Sequence, residues 1–147
     1  VRSVPDSLVT HTLKHQDELD RTLSKYCIDL FKEFVSEDGS GRVAIIVPNE
    51  LLDHTDKIVK DTLRKNLSDK EYNRILQQNS DDSQISVCTP EYVKGLEYDA
   101  VILMQPSKIE QEAASMLTAA ANLYVAMTRP TQRLVILRTQ DDADFSK

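Results

Sequence analysis

Val43-Ala44-Ile45-Ile46-Val47-Pro48 is the stretch on which the fold turns. It is apolar on both faces and rich in β-branched residues, so it reads as a short strand buried on both sides. Strands of that kind belong to parallel sheets, where helical crossovers cover both faces. Upstream, Leu19, Leu23, Tyr26, Cys27, Leu30 and Phe34 recur at steps of four, three and one. That spacing predicts an amphipathic helix over 16–36, ended by the loop Ser36-Glu37-Asp38-Gly39-Ser40-Gly41.

Downstream, Asn49 reads as the N-cap of a helix carrying Leu51, Leu52, Ile58, Val59 and Leu63. Ser68-Asp69-Lys70-Glu71 is a capping-box pattern ahead of Tyr72, Ile75 and Leu76, which predicts a second, shorter helix. After the turn Asn79-Ser80-Asp81-Asp82-Ser83, three further strands are expected at Ile85–Cys88, Ala100–Met104 and Leu134–Leu137. A weaker strand is expected at Ser7–Leu13. The Ala-rich segment 109–127 carries apolar residues on two adjacent stripes, so it reads as one largely buried helix. Strands alternating with helices imply right-handed crossovers and an α/β domain: a mostly parallel sheet covered by helices on both faces. The expected domain is 1–139, followed by a flexible acidic tail at 140–147.

The bulk numbers agree with one such domain. The chain has 147 residues, 40% of them apolar, which suffices for a real core. Its start, Val1-Arg2-Ser3-Val4-Pro5, lacks both an initiator Met and an apolar leader, so it reads as part of a longer protein. No run is apolar enough to span a membrane, and a cytoplasmic location is expected. Cys27 and Cys88 sit in apolar stretches and read as reduced structural residues. A net charge of −6 argues against a free-standing nucleic-acid-binding module, although a lobe of a larger assembly can supply a few contacts.

Much chemistry is excluded. With only Gly39, Gly41 and Gly95, neither a Walker A loop nor a GxGxxG turn can be drawn. No strand ends in an acidic Mg²⁺ ligand, since Asp141 lies beyond Arg138-Thr139-Gln140. His11 and His15 are four apart without a third ligand, and read as solvated residues near a helix start rather than a metal site. His54 reads as a helix-surface residue. In open parallel sheets ligands sit at the carboxyl ends of the strands, so candidate residues are expected there.

Two segments carry more. Thr89-Pro90-Glu91-Tyr92-Val93-Lys94-Gly95-Leu96-Glu97-Tyr98-Asp99 joins two strands. In it Gly95 permits close backbone approach to a ligand, Glu97 can accept hydrogen bonds from a ribose, and Lys94 can meet an anion. A solvated connecting loop would fit the same composition. In Leu123-Tyr124-Val125-Ala126-Met127-Thr128-Arg129-Pro130, a helix ends at an Arg and Pro130 stops it. Such an Arg can act as a finger on a transferring phosphoryl group, or simply as a cation at a helix C-terminus.

Together and in this order, Lys94-Gly95-Leu96-Glu97-Tyr98-Asp99 and Tyr124-Val125-Ala126-Met127-Thr128-Arg129 resemble motifs V and VI of the UvrD/Rep-type superfamily 1 helicases. The resemblance is strongest over 85–138 and weaker in the first half. It implies a RecA-like three-layer domain, the second lobe of an ATP-driven DNA helicase. Gly95 and Glu97 would approach the nucleotide, Glu97 at the ribose, and Arg129 would contact the γ-phosphate as the finger. Thr89 would face nucleic acid. The resemblance also implies partners: the first RecA-like lobe, which would bring the phosphate cradle and the Mg²⁺ ligands for ATP, and single-stranded DNA. The isolated chain would then be inactive.

One departure matters. Many members carry Thr-x-His ahead of the Lys-Gly-Leu-Glu core, where this chain has Thr89-Pro90-Glu91. A glutamate there repels phosphate. In this respect the chain is more similar to the helicase IV-like HelD ATPases of Gram-positive bacteria, which implies RNA polymerase as the alternative partner. A flavodoxin-like or receiver-like domain would leave both motifs as coincidences.

Overall fold

Val9, Val135, Ile102, Ile45 and Val87 lie side by side as register partners on five neighbouring strands. The computed structural model describes residues 7–36, 40–76, 84–92, 97–113, 118, 121 and 130–141. The strands are β1 (Ser7–Leu13), β2 (Val43–Ile46), β3 (Ile85–Cys88), β4 (Tyr98–Met104) and β5 (Pro130–Thr139). They form one sheet in the order β1-β5-β4-β2-β3, and every pairing is parallel. The helices are α1 (Gln16–Leu30), α2 (Leu52–Asn66), α3 (Asp69–Ile75) and α4 (Pro106–Glu112).

Burial on both sides follows from the pleat, which sends successive side chains to opposite faces. Val43, Ile45, Ala100, Ile102, Val135 and Leu137 pack on one face with Leu19, Leu23, Cys27 and Leu30 of α1, Val59 and Leu63 of α2, and Ile75 of α3. Ala44, Ile46, Val101, Leu103 and Leu134 pack on the other with Ile109 of α4. The expected architecture, a parallel sheet between helical layers, is therefore the observed one. Each fully buried Leu, Ile or Val contributes about 1.5–3 kcal/mol, so the α1 stripe alone anchors that helix firmly.

Local signals held in several places. Ser68 caps α3, its hydroxyl accepting from the Glu71 backbone N–H at 3.2 Å. The helix expected over 16–36 runs as α1 and then widens into a π turn, Phe31–Val35, closed by Ser36 N–H donating to Phe31 C=O at 2.8 Å. Ser7–Leu13 is a strand, as expected.

Two local expectations are corrected. Asn49 does not cap α2 with its side chain; it opens a 3₁₀ turn, Asn49–Leu51, that runs into the helix. The carboxylate of Glu112, from α4, accepts hydrogen bonds from the backbone N–H groups of Asn49 and, at 3.0 Å, Glu50. A remote anion thus satisfies the orphan donors and the helix dipole, which local capping would otherwise serve. The helix expected over 109–127 is not continuous. It starts earlier, with Pro106 in the first turn, and ends at Glu112, where Ala113 is extended (φ −70°, ψ 144°). The alanines begin at Ala113, after the last turn of α4, so their propensity does not place that helix. Most of 114–127 lies outside the described residues, as do 142–147 of the expected tail.

Candidate functional site at the amino edge of the sheet

The amino ends of β2, β4 and β5 converge on one carboxylate. Asp99, in the first turn of the pleat of β4, accepts at Oδ2 from the Arg42 backbone N–H (2.8 Å) and at Oδ1 from the Gln132 side-chain amide (3.2 Å). Its own backbone N–H donates to Arg42 C=O at 2.9 Å. The register shifts here: Tyr98 pairs with Pro130, but Ala100 pairs with Arg133, so β5 spends one more residue than β4 over the same span. That bulge brings Gln132 to Asp99.

Close packing supports the same corner. A Cβ on Gly41 would lie 2.5 Å from Phe34 O and 2.9 Å from Asp99 Oδ2, so only glycine fits where β2 begins. Gly41 N–H donates to Phe34 C=O at 3.0 Å, and its C=O accepts from the Gln84 side chain at 3.0 Å. Gln84 in turn accepts from Arg74 of α3 at 2.8 Å. Arg133 of β5 pairs with Glu33 at 2.6 Å.

Glu97 stands directly before β4 and is exposed. Gly95, Lys94 and Arg129 lie outside the described residues. What is described is the step after each candidate: Tyr98 follows Glu97, Pro130 follows Arg129, and those two are register partners on adjacent strands. The expectation that candidates gather at the carboxyl ends therefore fails for Glu97, which is at the amino edge.

Thr89 is at the other edge, just past the carboxyl end of β3. It is 2% exposed, and its hydroxyl has no hydrogen-bond partner among the described residues. Its neighbour Glu91 is exposed. On the same edge Gln105 sits in the left-handed region (φ 48°, ψ 62°) and is buried. Its amide donates to Thr139 Oγ1 at 3.1 Å, and its carbonyl oxygen accepts from the Thr139 backbone N–H at 2.9 Å. These paired bonds hold a strained backbone that a non-glycine residue rarely adopts.

The remaining titratable candidates are structural. Cys27 and Cys88 are free thiols. Burial pushes Cys27 up to about 12; burial, with help from the Glu91 carboxylate, pushes Cys88 up to about 11. Neither thiol supplies a nucleophile at neutral pH. Of the two histidines expected to be solvated, His15 is exposed before α1, whereas His11 is half-buried on β1 with its Nε2 2.7 Å from the Tyr26 hydroxyl. His54 is on the α2 surface beside Asp20, at 2.8 Å. Among the described residues no three His, Cys, Asp or Glu side chains are grouped to hold a metal. Among them, too, no helix is long and apolar enough to cross a membrane.

The roles of Asp99 and Gln105 escaped the sequence reading. Asp99 was within the quoted segment, but its partners lie 57 and 33 positions away, beyond any local spacing rule.

Comparison with known proteins bears on this geometry. The family model of the UvrD-like helicase C-terminal domain matches residues 15–141, which includes β2 to β5 and leaves β1 outside. The crystal structure of the C-terminal domain of a possible DNA helicase from Lactobacillus plantarum WCFS1 superposes with a TM-score of 0.51 at 17% identity, covering 92% of this chain and 74% of that one. At that identity the likeness speaks for the fold. No curated protein matches in sequence.

Proposed function

Because the chain belongs to the UvrD-like helicase C-terminal domain family, we propose that it is the second RecA-like lobe of a superfamily 1 ATPase, supplying half of an ATP site to a first lobe. One observation carries the reading: Tyr98 and Pro130, which directly follow Glu97 and Arg129, are register partners on adjacent strands. The two segments that resemble motifs V and VI thus return to the sheet at one place.

Each residue has a separate task. The exposed carboxylate of Glu97 forms no ion pair with any described residue and accepts hydrogen bonds from ribose hydroxyls. Gly95 lets the backbone approach the nucleotide. Arg129 stabilises charge that develops on the transferring phosphoryl group, a contribution worth roughly 10³–10⁵ in rate in related phosphoryl-transfer systems. The phosphate cradle and the Mg²⁺ ligands would come from the first lobe, and the bound metal would supply neutralisation of the phosphate charge. Loss of the γ-phosphate releases Arg129, the cleft opens, and the relative motion of the lobes does work on single-stranded DNA.

A second reading is favoured by the exposed Glu91 beside Thr89 and by the net charge of −6. A negative carboxyl edge repels phosphate and suits a protein partner, which makes the lobe part of a HelD-like ATPase that binds and releases RNA polymerase. The deciding experiment is the ATPase rate of the two-lobed protein alone, with single-stranded DNA, and with RNA polymerase. Strong stimulation by DNA supports the translocating motor. Indifference to DNA with a response to polymerase supports the second reading, and no ATPase under any condition contradicts both.

A further inference from the structure

We propose that Asp99 is a positioning residue for the shared nucleotide site: with Gln132 it fixes the β4–β5 register at the strand starts that directly follow Glu97 and Arg129. The inference rests on the ATPase reading above and goes beyond it. Asp99 is two residues after Glu97, and Gln132 is three after Arg129. Their side chains meet at 3.2 Å across the bulge where the β4–β5 register shifts. The second oxygen of Asp99 is held by the Arg42 backbone N–H at 2.8 Å, which ties the pair to the buried strand β2. The carboxylate is therefore fixed from below and reaches sideways to the strand that follows Arg129. A bulge is otherwise free to slide by one residue, and such a slip would change which residue of β5 pairs with Tyr98.

The bond is also testable by exchanging donor and acceptor. Gln132→Glu sets two carboxylates against each other and breaks the contact without changing side-chain length. Adding Asp99→Asn restores one donor facing one acceptor, and keeps an oxygen for Arg42. In the two-lobed protein, Q132E is expected to lower kcat about tenfold while KM for ATP changes less than about threefold. D99N combined with Q132E is expected to recover kcat to within about twofold of the parent.

Thr139→Val is the control. It removes a bond between the same two strands at their far end, where Gln105 meets Thr139, so it lowers Tm while leaving kcat unchanged. A T139V protein that loses turnover as Q132E does would show that strand stability alone is being read, and would overturn the proposal. So would failure of the double variant to recover kcat at restored Tm. Arg129→Ala in the same assay tests the underlying reading by itself: if it keeps full turnover the shared site is wrong, and the positioning role falls with it.

Discussion

The two edges of the sheet solve the same problem, how to end buried strands, by different means. At the carboxyl edge, bonds close the structure on itself: Gln105 spans to Thr139, Glu112 caps the turn before α2, and the Thr89 hydroxyl is buried with no partner among the described residues. At the amino edge, Asp99, Arg42, Gln132 and Gly41 lock the backbone, yet Glu97 next to them is exposed. A rigid base beside an exposed carboxylate that pairs with no described residue is the arrangement expected of a site that meets a ligand from outside. The carboxyl ends of parallel strands are the usual place to look for a ligand, and the contrast teaches that a candidate named from a sequence motif, here Glu97, can stand at the opposite edge.

The largest effect expected from breaking the comparison is at Gly41. Gly41→Ala forces Phe34 and Asp99 away from the start of β2 and should cost about 3 kcal/mol, the upper end for overpacking. Chemical denaturation monitored by circular dichroism reads this directly; a loss below about 1 kcal/mol would mean that the amino edge is less rigid than described. Next comes Glu97. In the two-lobed protein, Glu97→Ala should raise KM for ATP about tenfold, equivalent to about 1.4 kcal/mol, and should barely affect the 2′,3′-dideoxy nucleotide. Equal responses to both nucleotides would remove the ribose assignment.

Smaller effects sharpen the other edge. Thr89→Val removes a buried hydroxyl that has no partner, and should stabilise the chain by about 1 kcal/mol. A neutral or destabilising outcome would show that the hydroxyl is bonded after all. Glu33→Gln, which breaks the partly exposed pair with Arg133, should cost less than about 1 kcal/mol, and less again in high salt. A larger loss would make that pair part of the amino-edge lock.

The fold was legible because its signals are local and repeated. The unbroken apolar runs at Val43–Val47 and Ala100–Met104 announced strands covered on both sides, and the Leu19-Leu23-Cys27-Leu30 stripe announced α1. The Ser68 cap was visible for the same reason, since donor and acceptor are three residues apart. What stayed hidden depends on long-range contact. Asn49 was the better cap by residue type, but the Glu112 carboxylate, 63 positions away, took the role. The start of α4 at Pro106 and its end at Glu112 both precede the alanines, which begin at Ala113, so alanine spacing could not report them. Glu97 was named only as a candidate, and the edge at which it stands was not expected, because edge depends on how the chain re-enters the sheet. Gln105 gave no warning of its left-handed backbone, since glycine is the usual signal there.

The central claim is that this lobe completes an ATP site with Arg129. The most direct measurement is steady-state turnover together with equilibrium ATP binding for Arg129→Ala in the two-lobed protein. The account predicts a fall in kcat of roughly 10³-fold or more, with ATP affinity changed by far less. Undiminished turnover, or a loss of ATP binding as large as the loss of turnover, would contradict it.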